Sequence, residues 1–100
     1  MSVETILNER TSTHGAFILN SLISQQLKIV MEAVDSWEEL DTDQAEALHM
    51  IAHKISRILA GNPNHKDHWE DIAGYATLVA NRLGSNTQVE KKGHKLRAKL

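Results

Sequence analysis

Carboxylates and imidazoles at helical spacing are the residues of this sequence best suited to chemistry. Glu46, His49 and His53 follow one another at intervals of three and four, and Asp67 and Asp71 stand four apart. Residues three or four apart on a helix share a face. Asp67 and Asp71 can therefore aim two carboxylates at one hard cation, and magnesium accepts such oxygens together with waters and substrate phosphates. Glu46 can supply a third carboxylate, with His49 as a further ligand. Glu46, His49 and His53 by themselves suit a transition metal, but zinc needs three or four ligands, and a di-iron bundle needs Glu-x-x-His twice where this chain has it once. The plain alternative is that Asp67 favours a helix start by about 0.3–1 kcal/mol and that Asp71 and the histidines are solvated.

Lys54 and Arg57 fall on the same polar face as His49, Met50 and His53. They suit a phosphate, or are solvated charges contributing well under about 1 kcal/mol. His68 and Tyr75 lie between the Asp67–Asp71 stripe and the apolar side of their helix, where a ring can cover a site wall and a hydroxyl can reach a nucleotide base. Gly74, inside that helix, costs about 1 kcal/mol relative to alanine, which implies that another backbone or a ligand approaches it. There is no nucleophile elbow, glycine-rich phosphate loop or zinc-protease motif. The absence of cysteine excludes a disulfide scaffold, a thiolate metal site and a cysteine nucleophile.

Helices must position these groups. The chain is 41% apolar and 24% charged, with 4% aromatics and one proline, a soluble, all-helical composition. Three principal helices are expected. Apolar residues at Ile23, Leu27, Val30, Val34 and Trp37 predict the first over Ala16–Trp37. The second opens at Asp41 or Thr42, where Asp41 and Gln44 can form a reciprocal cap, and closes at Ala60 before Gly61 and Pro63. The third runs from about Lys66 to Leu83. A shorter amphipathic segment, Val3–Arg10, precedes them, broken off by Thr11, Ser12, Thr13 and Gly15. Packing is expected through Leu27, Val30, Leu48, Ile51, Ile55, Trp69, Ile72, Ala76 and Val79, within a domain of residues 1–84.

Residues 1–87 hold six Lys/Arg against twelve Asp/Glu, whereas residues 88–100 hold five against one. The acidic body argues against a duplex-DNA binder, and residues 85–100 read as a basic, mobile tail. No apolar run approaches the roughly 20 residues that span a bilayer, so a cytoplasmic protein without membrane contact is expected. So small a core favours association into a homodimer.

The stretch from Lys54 and Arg57 in K-x-x-R-I, through the Gly/Pro turn, to D-I-A-G-Y-A at residues 71–76 resembles a family of small phage and prophage proteins. Arg10, Thr13, His14, Gly15, Phe17 and Asn20 resemble the same family's R-x-x-T-H-G-x-F-x-x-N opening, so the likeness covers residues 3–83. Ala16 stands where that family often has an acid. More distantly, the helices are similar to the MazG-type nucleoside triphosphate pyrophosphohydrolases, whose paired acidic motifs hold magnesium against a triphosphate. That resemblance implies a MazG-like bundle completed across a dimer, with Glu46, Asp67 and Asp71 on magnesium. Here His49 replaces one carboxylate of the first pair, and His68 stands where the second pair has its acid, which is displaced to Asp67.

The functional expectation is a magnesium-dependent nucleotide-binding or pyrophosphohydrolase-like protein. Glu46, Asp67 and Asp71 would hold the metal, with His49 as an added ligand, and Lys54, Arg57, His68 and Tyr75 would hold phosphate and base. The alternative is a non-catalytic phage accessory protein that binds a host protein or a nucleic acid.

Overall fold

A computed structural model describes residues 2–85 and 89 of the chain. Four helices pack together in the order α1 (Val3–His14), α2 (Phe17–Glu32), α3 (Thr42–Ala60) and α4 (Lys66–Leu83), with a 3-10 turn over Asp35–Glu39 and no β-strand among the described residues. The expected basic tail lies outside the described residues apart from Ser85 and Val89. No helix among them is long and apolar enough to cross a membrane.

Local signals explain α3 and α4. The Asp41 N–H donates to Gln44 Oε1 at 2.8 Å within a capping box, and Gly61 closes α3 with its N–H on Arg57 O at 2.9 Å. Arg82, near the end of α4, donates to Asp43 at 2.9 and 2.6 Å and to Asp41 at 2.8 Å, tying the two helices at one end. That guanidinium holds the Asp43 carboxyl below its ordinary range.

The first half departs from expectation at two points. α1 does not stop at Arg10 but continues to His14, because Thr11 and Ser12 turn their hydroxyls back onto Leu7 O at 2.9 Å and Glu9 O at 2.7 Å. Gly15, at φ +81° and ψ 175°, a conformation essentially restricted to glycine, makes the break. The expected Ala16–Trp37 helix ends at Glu32. Val34 is extended, Asp35 and Ser36 open the 3-10 turn, and Trp37 is buried with its ring 5.1 Å from that of His49.

α3 is the central helix and packs against each of the other three. Its two buried edges are lined mainly by small or polar side chains. Ala45, Ala52 and Ser56 lie along the α2 side, and Ala47, Lys54 and Ile58 along the α4 side. Between them α3 turns Leu48, Ile51, Ile55 and Leu59 to a face that neither neighbour covers. The expected packing stripe is thus real as a stripe but is not a buried core. Val30 is 70% and Trp69 54% exposed, Leu48 and Ala76 are exposed, and Leu27, Ile51, Ile55, Ile72 and Val79 are half-buried. The physical reason is that α2 and α4 sit on the flanks of the α3 stripe instead of over it. α1 lies across the other, polar side of this layer.

Candidate functional site

Among the described residues, no three His, Asp or Glu side chains come together so as to hold a metal ion. The expected trio of Glu46, Asp67 and Asp71 is therefore not assembled in one chain. Asp71 accepts from the Lys54 ammonium at 2.9 Å, which holds its carboxyl below the usual range. That pair engages Lys54, one of the expected phosphate ligands, which is buried against α4. Asp67 faces His65 at 3.8 Å, and Glu46 lies at the edge of a groove with Asp43, Tyr75 and Leu78. His49 approaches Glu32 at 3.1 Å.

His68 was expected to reach a nucleotide but is only 2% exposed. Its Nε2–H donates to Thr13 O at 3.0 Å, because a carbonyl can only accept. Tyr75 is half-buried, away from Arg57's surroundings. Gly74 faces open space, since a Cβ built there would meet nothing within 4 Å. Among the described residues no other element approaches it, so close packing of another backbone does not explain the glycine.

Of the residues expected to hold magnesium, phosphate or base, Arg57 alone lines the cavity of about 360 Å³ between α1, α2 and α3. Arg10 and His14 reach it from α1, Asn20, Ser24 and Gln25 from α2, and His53 from α3, with Phe17 beside the Gly15 break. No Asp or Glu among the described residues lines it. This is a cationic hollow in a body with twice as many acids as bases.

Its walls are fixed by polar contacts reaching across the fold. The Asn20 amide donates to His14 O at 3.2 Å, and its Oδ1 accepts from the fully buried Ser56 hydroxyl at 2.6 Å. The Asn62 N–H donates to Thr13 O at 3.2 Å, so the end of α1 is held by both the α3–α4 loop and His68. Gly15 lies directly on Ala60 and Gly61. A Cβ at Gly15 would run into Ala60 O, and one at Gly61 would fall 2.5 Å from the Gly15 nitrogen. Among the described residues every buried side-chain nitrogen or oxygen has a partner.

Both cavity histidines are kept neutral. Burial, then the charges of Arg57, His68 and Arg10, lower His14 to about 4. His53 is lowered by burial and then by Lys28, Arg57, His49 and Lys54. The Lys28 ammonium, a donor only, lies 2.9 Å from His53 Nε2, so that nitrogen accepts and the proton sits on Nδ1, 3.4 Å from Ser24 Oγ. The cavity thus offers two permanent guanidinium charges, neutral imidazoles, and amide and hydroxyl groups. Such a set binds a multiply charged oxyanion through charge-assisted, forked hydrogen bonds.

The reading of residues as ligands missed Arg10, His14, Asn20 and Ser24. A signal was present, since Arg10, His14, Gly15, Phe17 and Asn20 all belong to the opening that carries the family resemblance. Nothing in their spacing indicates that they close on Arg57. No curated protein matches this chain, and no solved structure does either. One family model, a domain of unknown function (DUF6378), matches residues 2–83, which takes in all four helices, and the chain belongs to that family.

Proposed function

We propose that this domain binds a small phosphate-bearing molecule, a nucleotide, in the cavity between α1, α2 and α3. The observation that carries the reading is that Arg10 and Arg57 both line one cavity, which no carboxylate among the described residues lines. Phosphate oxygens take the guanidinium groups, and the neutral His14 and the Ser24 hydroxyl can each complete a hydrogen bond. Phe17, 82% exposed beside this cavity, offers its ring to a base. A volume of about 360 Å³ lies within the usual range for ligand pockets, about 300–1,000 Å³.

Glu46, Asp67 and Asp71 do not fit a magnesium centre in one chain, so no step is routed through a metal on them. Hydrolysis of the kind the MazG-type resemblance implies is a separate question from binding. The accessory-protein alternative calls for an open polar face on α3, and the enclosure of His53 and Arg57 beneath α1 favours the small ligand.

Calorimetric titration with nucleoside mono- and triphosphates, with and without magnesium, tests the reading. Binding should weaken by about tenfold to a hundredfold in Arg57→Ala and in Arg10→Ala, as loss of one hydrogen bond to a charged group implies. Absence of binding by every nucleotide and by inorganic phosphate would overturn it. Pyrophosphate release in the same mixtures reports any hydrolysis.

A further inference from the structure

The second feature that calls for a partner is the uncovered side of the helical layer, independent of the cavity. Turning each helix by 100° per residue sets Leu19, Ile23 and Val30 of α2 beside the Leu48–Ile51–Ile55–Leu59 stripe of α3. On the other flank stand Trp69, Ile72, Ala76 and Leu83 of α4. Leu48 and Ile51 share a groove of about 270 Å³ with Ala76 and Val79, which joins the α3 and α4 parts directly. No Asp, Glu, Lys, Arg or His lies on this arc of any of the three helices, in a chain that is 24% charged.

We infer that this face docks a second copy of the chain, about a two-fold axis that sets one α3 stripe against the other. Three observations select a second copy over another occupant. First, a face without ionisable groups meets itself with no like-charge penalty and presents nothing to steer a nucleic acid or a charged protein. Second, Leu48, Ile51, Ile55 and Leu59 recur at intervals of three and four, a seam that fits against a copy of itself. Third, helices of 16, 19 and 18 residues, each giving about a third of its circumference, supply the roughly 20 residues a side of an interface burying about 800 Å² per partner. The need is constitutive. Among the described residues the buried apolar side chains are Trp37, Ile58 and three alanines, a small core for a domain of this length. The cavity lies on the opposite side of the layer and stays open in the dimer.

Sedimentation equilibrium of the full chain from about 1 to 100 μM should give twice the mass of one chain, with a melting temperature that rises with protein concentration. Trp69 emission should move to shorter wavelength as the chains associate. Val30→Glu and Leu48→Glu should each shift the mass to that of one chain. Val30 is exposed in the single chain, so unfolding of Val30→Glu at a concentration where the parent is folded would equally show that a partner covers it. A one-chain mass across the whole range would overturn the inference, as would dimers that survive both substitutions. Neither result touches the nucleotide titration.

Discussion

The two sides of the α2–α3–α4 layer reverse the usual order of a small domain. The polar side is covered, by α1, and there lie Ser24, Ser56 and His68, the largest fully buried side chains among the described residues, all hydrogen-bonded. The apolar side is left open by the described residues. In an isolated chain the hydrophobic effect would favour the opposite arrangement, because burying leucine and isoleucine gains about 25 cal/mol per Å² whereas burying a hydroxyl gains little beyond its hydrogen bond. The difference teaches that the two sides answer to different partners. One is enclosed by the chain's own first helix around charged groups, and the other is left for a surface as apolar as itself.

Removing the cover from the polar side should have the largest effect. Gly15→Ala puts a Cβ into Ala60 O while forcing a side chain onto a φ of +81°. Overpacking and backbone strain together should cost about 3 kcal/mol, read as a lower urea midpoint. Nucleotide binding should fall with it while the mass by sedimentation stays that of the parent, which would separate the two sides. An unchanged midpoint would mean that α1 is not held at this contact.

A smaller effect should come from acid. His14 is lowered from 6.5 to about 4 in the folded chain, so the unfolded chain takes up the proton first. Stability is therefore full above about pH 6.5 and is lost as pH falls toward 4, the range in which the unfolded state binds the extra proton. His14→Gln should flatten that slope in chemical denaturation across pH 4–7. An anion bound beside His14 should raise its pKa, so that binding takes up protons below pH 6.5. The smallest effect belongs to Gly74, on an edge of α4 that no described element covers. Gly74→Ala should leave stability unchanged or raise it by about 0.4–1 kcal/mol through the unfolded state, by the same urea measurement, with nucleotide affinity unaltered.

The sequence was legible wherever a signal was local. Asp41 with Gln44, and Gly61 before Pro63, mark α3 because a cap and a breaker act within one turn. Asp35 and Ser36 are weaker punctuation. No glycine or proline lies between Glu32 and Trp37, and only the burial of Trp37 beside His49 shows why the chain turns there. The hydroxyl-rich end of α1 reads as a break because threonine and serine usually compete with a helix, yet here they bond back into it. The apolar stripe was visible, but periodicity reports that a face is apolar without naming what covers it. The Asp67–Asp71 and Glu46–His49 spacings are true of their helices, but helical spacing says nothing about an approach between helices. Lys54 reaching Asp71 and His14 lying beside Arg57 are contacts of that second kind.

The anchoring of Thr13 also sets an order of assembly. Its carbonyl is held by the Asn62 N–H and the His68 ring, which belong to the turn joining α3 to α4 and to the first turn of α4. That receptor is built from neighbours joined by the short loop 61–65, whereas Thr13 and His68 are 55 positions apart, so closing that long loop is the entropically costly step. The α3–α4 hairpin is therefore expected to form before α1 seats. Because α1 buries no residue of its own, it is also the first element to detach, and its amides should exchange with solvent hydrogen well before those of α3.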